Sequence, residues 1–351
     1  MKSLLTNSGT VPLELSELPR DHDLPGLASL LHEERLTTTL SCVLAEWLEP
    51  NAQLLQTRVF LRRLFPGKRC SVELELVVDK GNSLPAEHRR LLGKFYKDDQ
   101  GATLFETLEA LRRNGFGAGR FVVSQPVAWV PEYRLLLSSW AEGTLLSSIL
   151  LARSDAGHQI ARAAEWLLSL HHCGITTGRR YSIERHLLTL GRWKKLLTEA
   201  YPEGGRLVGT LVARFEERSR DLAGWIPRPT HRDFSHEHLV VQGDQLTCLD
   251  LDEFCQYDPL FDVAHFIAHL RFLSLTQFGS IGQFDWLCDR FLAGYQSGCE
   301  EFSSERLELY LAISYFKLGR FVALVQRPEG WDTALAELLR EAERVVRRNS
   351  G

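Results

Sequence analysis

The sequence predicts an α+β protein whose strands gather early and whose helices follow. Three observations carry that prediction. Between Thr57 and Trp140 the apolar residues come in short β-prone runs separated by Pro, Gly and charged turns. After Leu145 they recur at three- and four-residue spacing in one segment after another. The exception among those helices is the stretch from Pro229 to Asp252, which reads as loop, strand, turn, strand.

Taken in order, residues 1 to about 26 are rich in Pro, Asp and Ser and read as an extended lead-in. Leu30, Leu31, Leu36, Leu40, Val43, Leu44 and Trp47 then mark one buried face of a helix over 27–48, ending before Pro50. Strands are expected over 57–65 and 71–78, joined by the small basic loop Pro66-Gly67-Lys68-Arg69-Cys70, and a third near 90–96. A helix over 102–114 follows, then strands over 121–130 and 134–140. Helices are expected over 159–172, 183–201, 206–223, 262–273, 284–296, 304–325 and 332–348. No internal repeat or low-complexity linker interrupts the chain.

With 351 residues, 44% of them hydrophobic, the chain is long enough for two domains with a substantial core. A net charge of −4 with 25% charged residues leaves no electrostatic footprint for nucleic acid or an anionic membrane, so the expected partner is a small molecule. The seven cysteines are odd in number and lack CxxC spacing, which suggests neither a disulfide framework nor a zinc ribbon and fits a reducing cytoplasm. The first apolar run is too short for a signal peptide, and no later stretch reaches the length of a membrane span.

The chemistry concentrates in Pro229-Thr230-His231-Arg232-Asp233-Phe234-Ser235-His236-Glu237-His238 and in Leu249-Asp250-Leu251-Asp252. A hairpin turning at Gly243-Asp244 would bring Asp233 and Asp250 together. Two carboxylates at one mouth suit a job in which one accepts a proton and the other holds a hard cation such as magnesium. The HRD of 231–233, the metal-ligand position five residues on at His238, the Asp250-Leu251-Asp252 run and Tyr257-Asp258-Pro259-Leu260-Phe261-Asp262-Val263-Ala264 together resemble the aminoglycoside phosphotransferase and choline kinase-like family. That family shares the protein-kinase fold.

The resemblance implies two lobes: residues 1–138 as a small nucleotide-binding lobe with an antiparallel sheet and one helix, and 139–351 as a mostly helical lobe carrying the catalytic hairpin. It implies ATP as phosphoryl donor and a small-molecule hydroxyl as acceptor. Asp233 would take the hydroxyl proton, His231 and Arg232 would shape its loop, and Asp250 would bind Mg2+. Lys94 would hold the non-transferred phosphates, oriented by Glu106, with Glu109 as its competitor. Gly67 and Lys68 would lie over the phosphates, although no GxGxxG is present. Backbone groups of Ser139 and Ala141, at the family's hinge, would meet the adenine edge. Asp252 would reach a second metal or cap its turn.

At His238 the chain departs from the family, which usually has Asn there. Imidazole suits softer metals than magnesium, so the preference could lean toward Mn2+. That departure also motivates a rival reading, a nucleotide-binding pseudokinase without turnover. A zinc hydrolase built on His231, His236 and His238 is a weaker rival, because the spacing is not that of a zinc motif. Glu253, Asp258 and Asp262 hint at a cationic acceptor such as an amino sugar or amino alcohol, but the sequence does not fix the acceptor or the oligomeric state.

Overall fold

The computed structural model describes residues 21–30, 33–81, 85–152, 155–220, 222 and 225–347. The chain divides into two compact units, residues 1–142 and 143–351. Most of the expected lead-in lies outside the described residues, and the first helix begins earlier than expected, at a proline.

In the first unit, helix α1 spans Pro25–Leu30 and α2 spans Glu33–Val43. Of the single helix expected over 27–48, helix is described over 25–30 and 33–43, and residues 31–32 lie outside the described ones. Beyond Val43 the chain closes in turns, where Trp47 N–H donates to the Leu44 carbonyl at 2.9 Å. Strands β1 (Gln53–Phe65), β2 (Arg69–Asp79) and β3 (Glu87–Tyr96) follow, then helix α3 (Gln100–Leu111). Strands β4 (Phe121–Val123), β5 (Pro126–Val130) and β6 (Leu135–Ser139) complete the unit. The main sheet runs β1-β2-β3-β6-β5, antiparallel throughout.

Strand alternation decides what each face does. Val72, Leu74, Leu76 and Val78 of β2 turn one way, are at most 1% exposed, and pack with Leu36, Leu40, Leu44, Leu91, Phe95, Leu135 and Leu137 in one core. Burying each such Leu or Val contributes roughly 1.5–3 kcal/mol. Ser71 and Glu73 of β2, and Leu92 and Lys94 of β3, therefore share the opposite face.

The strand expected over 121–130 is two strands. At the break, Gln125 is bonded to Ser139 both ways: its carbonyl accepts Ser139 N–H and its N–H donates to Ser139 Oγ, each at 2.8 Å. Pro126, which cannot donate, follows at a register shift. The α-helix α3 likewise stops at Leu111, and a wider turn runs on to Phe116, where Gly115 takes φ 101°.

The second unit opens with β7 (Thr144–Leu145), α4 (Leu146–Ala152), α5 (Ala156–His172), α6 (Ile183–Ala200) and α7 (Gly205–Ser219). Next come β8 (Arg228–Thr230), β9 (Leu239–Gln242), β10 (Gln245–Cys248) and β11 (Cys255–Tyr257). Helices α8 (Leu260–Phe278), α9 (Asp285–Gln296), α10 (Ser304–Phe321) and α11 (Trp331–Arg347) close the chain. The hairpin β9–β10 turns at Gly243-Asp244, pairing Gln242 with Gln245 and Leu239 with Cys248. Buried Arg162 of α5 donates to the Gly243 carbonyl at 3.3 Å and also to that of Asp244, so the turn is pinned from beneath.

β7 pairs with the far side of β9, Thr144 opposite Val241. The pairing needs glycine at 143: φ is 126°, and an added Cβ would lie 2.3 Å from the Val241 carbonyl oxygen. β8 and β11 pair with each other, an addition that three-residue strands did not announce in the sequence. Among the described residues no helix is long and apolar enough to cross a membrane.

Candidate active site

The loop that carries Asp233 sits between β8 and β9, and its backbone is held in a conformation that side-chain-bearing residues rarely adopt. Arg232 has φ 65°, and Asp250, just past β10, has φ 57°. Asp262, fully buried in the first turn of α8, accepts the N–H groups of both His231 and Arg232 at 2.7 Å. Charge-assisted bonds of that length over-determine the turn and hold Asp233 at the loop's crest.

Around Asp233 the expected residues meet. Single ligand atoms of Asp233, His238 and Asp250 all lie within 4.8 Å of one another. His238 Nδ1–H donates to the Asp233 carbonyl at 2.8 Å, which leaves Nε2 facing Asp250 Oδ2 at 3.6 Å. Two carboxylates and one imidazole nitrogen fit a divalent cation of the magnesium or manganese kind, with the nitrogen favouring the softer of the two. Asp252, nearly buried in the 3-10 turn Leu251–Glu253, is not part of this cluster. A strand end lets residues i and i+2 share a face, but the turn that starts at Leu251 breaks that alternation.

His231 and Arg232 support the loop. The buried His231 ring donates from Nε2 to the Leu249 carbonyl at 2.9 Å and accepts Asp233 N–H at Nδ1, 3.2 Å away. Burial holds it below its usual pKa, in the neutral form this pattern requires. The Arg232 guanidinium lies over the Tyr181 ring, 3.5 Å from its centroid, and 3.6 Å from Glu253. His236 is likewise buried, its Nε2 bonded to the His269 carbonyl at 3.3 Å. The three histidines therefore do not converge on a zinc ion.

Two partners of Asp233 escaped the sequence reading. His265 of α8 donates from Nε2 to Asp233 Oδ1 at 3.1 Å, and Lys317 of α10 approaches the same oxygen at 2.8 Å. Burial raises the Asp233 carboxyl, but the Lys317 charge and the His265 bond outweigh it and hold the group well below its ordinary value. Burial, with Lys317 beside it, pushes His265 down to about 4, so the ring is neutral at physiological pH. The one available signal was spacing: His265 lies one turn after Asp262, on the same helix face.

The acids that hinted at a cationic acceptor are committed elsewhere. Asp258 is fully buried and paired with Arg306 at 3.1 Å, Asp262 holds the loop, and Glu253 pairs with Arg179 at 2.6 Å.

The first unit answers differently. Lys94 is 9% exposed on β3, a degree of burial that lysine seldom tolerates without partners. Glu106, its expected partner, is on the exposed side of α3, away from the buried Leu104, Thr107, Leu108 and Leu111, and Glu109 pairs instead with Arg113 at 3.5 Å. Among the described residues, Glu73 is a buried carboxylate on the Lys94 face, 2% exposed and one diagonal step away across the β2–β3 ladder. Glu73 pairs with Arg62 and, at 3.3 Å, with Arg90, and both guanidinium groups lie over Trp140, at 5.4 and 5.0 Å.

The loop between β1 and β2 is also not a ready anion cradle. Gly67 N–H donates to the Asp21 carboxylate at 2.8 Å, a Cβ on Gly67 would stand 3.1 Å from Asp23, and Lys68 is exposed. At the end of β6, Ser139 N–H is spent on the Gln125 carbonyl, so it is not available to an adenine edge. Ala141 follows the sheet's last strand, with an intermediate exposure.

A small antiparallel sheet with flanking helices, followed by a helical unit with a hairpin that carries the loop acids, defines a protein kinase-like fold. A family model described as the phosphotransferase enzyme family matches residues 86–298, more than half of the chain, and the chain belongs to that family. Among solved structures, it is similar to a choline/ethanolamine kinase family protein from Mesorhizobium loti, at 14% identity and TM-score 0.52, over 90% of this chain and 95% of that one. It is also similar to a thermostable mutant of aminoglycoside phosphotransferase APH(4)-Ia, in complex with AMP-PNP and hygromycin B, at 12% identity and TM-score 0.58, over 90% and 99%. A third is the GDP complex of aminoglycoside 2'-phosphotransferase-IIIa, at 15% identity and TM-score 0.54, over 89% and 99%. Likenesses this distant establish the fold alone. No curated protein matches the chain.

Proposed function

We propose that the chain is a small-molecule kinase of the cytoplasm, transferring the γ-phosphoryl group of ATP to a hydroxyl. The observation that carries this reading is the convergence of Asp233, His238 and Asp250 within 4.8 Å at the mouth of a pinned hairpin. Asp233 takes the proton of the acceptor hydroxyl, the acceptor oxygen bonds to the γ-phosphorus, and the bond from that phosphorus to the bridging oxygen breaks, so that ADP leaves with the electron pair. His265 and Lys317 keep Asp233 ionised and fix its rotamer. Asp250 and His238, with Asp233 alongside, would hold a divalent cation, whose charge neutralises the phosphate oxygens. Lys94, backed by Glu73 on the same sheet face, would hold the non-transferred phosphates.

The test is ADP release over a panel of hydroxylated metabolites, with Mg2+ and with Mn2+, from ATP and from GTP. Acceptor-stimulated release that disappears in Asp233→Asn supports the reading. Release that persists in Asp233→Asn overturns it.

A second reading, nucleotide binding without turnover, is favoured by Asp21 and Asp23 lying against the Gly67 loop where phosphates were expected. It requires saturable nucleotide binding with no ADP release under any of these conditions.

A further inference from the structure

Helix α10 buries Tyr310, Ile313, Ser314, Phe316 and Leu318, whereas Lys317 stays part-exposed. Lys317 brings an ammonium to 2.8 Å from Asp233 Oδ1, with 28% of the side chain still open and 34% of Asp233 open beside it. Its other neighbours, the Arg232 carbonyl at 3.5 Å and His265 Nε2 at 3.4 Å, are at the outer limit of hydrogen bonding. The ammonium is thus part-solvated, next to the group that receives the acceptor's proton.

Asp258, Asp262 and Glu253 are all spent on other partners, so none of them balances a cation brought in by the acceptor. An acceptor hydroxyl within about 3 Å of Asp233 puts the neighbouring carbon's substituent within reach of Lys317. A positive substituent would be repelled at that distance and a negative one would be held.

We infer that the acceptor carries an anionic group, a carboxylate or a phosphate ester, close to its reactive hydroxyl, and that Lys317 receives it; this rests on the phosphotransfer reading above. A matched series tests it: glycerol, D-glycerate, sn-glycerol 3-phosphate and 3-amino-1,2-propanediol share a three-carbon skeleton and differ in charge. Each is added to the wild-type protein with ATP and metal, and ADP release is followed.

The expected result is that one or both anions change the rate, by accepting the phosphoryl group or by blocking the site, at concentrations at least tenfold below those of glycerol and the amine. Whether glycerate or the phosphate ester acts at the lower concentration identifies which anion the site takes. Lys317→Gln removes the preference, raising the anion's half-effective concentration about tenfold or more, while Lys317→Arg retains it. Thermal unfolding of each variant shows that it folds. Equal potency across the series, or preference for the amine, overturns the inference. So does a Lys317→Gln effect on kcat alone that is uniform for all four compounds, which would leave Lys317 as a positioning group of Asp233. Failure of the underlying reading looks different: the wild-type protein then releases no ADP in excess of Asp233→Asn.

Discussion

The β9–β10 hairpin and the small sheet carry the same kind of inference to opposite ends. In the second unit, the acids expected to act together are together, because a two-residue turn and a left-handed backbone at Arg232 and Asp250 leave them nowhere else to go. In the first unit Lys94 is buried as a phosphate-holding lysine would be, yet Glu106 faces solvent and Gly67 is capped by Asp21. Short loops fix geometry through local stereochemistry. Pairings across a sheet or between a helix and a strand depend on register and helix rotation, which a motif does not encode.

The largest effects should break the comparison outright. Asp233→Asn is expected to lower acceptor-stimulated ADP release by roughly 10³-fold, within the range for loss of a general base. Failure to see that would remove the hairpin's advantage.

The next effect is on stability. His265 is held to about 4 by burial, below the usual 6.5, so the unfolded chain takes up its proton first as pH falls. Stability should therefore drop as pH goes from 6.5 toward 4, this residue alone accounting for about 3 kcal/mol at most. His265→Gln should flatten that slope in a series of thermal unfolding curves. The Asp233 carboxyl works in the same direction at lower pH: its depressed value contributes stability that is present above the unfolded value and is lost as pH falls below it.

A smaller pair of variants sharpens the account of the sheet. Glu73→Gln is expected to weaken binding of a non-hydrolysable ATP analogue about tenfold, with Glu106→Gln within twofold of wild type, read by titration calorimetry. The reverse order would restore the helix as the source of the lysine's partner. Smallest of all, Asp21→Asn should tighten the same binding about two- to threefold by removing a charge from the Gly67 loop. No change would mean that this loop does not meet the phosphates.

What the sequence made legible follows the same division. The Gly-Asp turn and the two apolar runs announced β9 and β10, and with them the meeting of Asp233 and Asp250. His265 and Lys317 were hidden because they reach Asp233 across separations of 32 and 84 residues, on helices whose periodicity reports only which face is apolar. Glu73 was hidden for a related reason. It lies on the face of β2 away from the core, and that Arg62, Arg90 and Trp140 cover that side depends on strand register that no motif encodes. The helix over 102–114 was visible from its spacing, whereas the rotation that exposes Glu106 was not.

Gly143 carries one more implication. The chain enters its second unit pressed against Val241, on the ribbon whose two ends lead to Asp233 and Asp250. A tug or a nick at that threshold would be felt first by the ladder from Thr144 and Leu145 to Val241 and Val240, ahead of the helices. Amide exchange at whichever of those valines turns its N–H toward β7 would act as a strain gauge for that ladder.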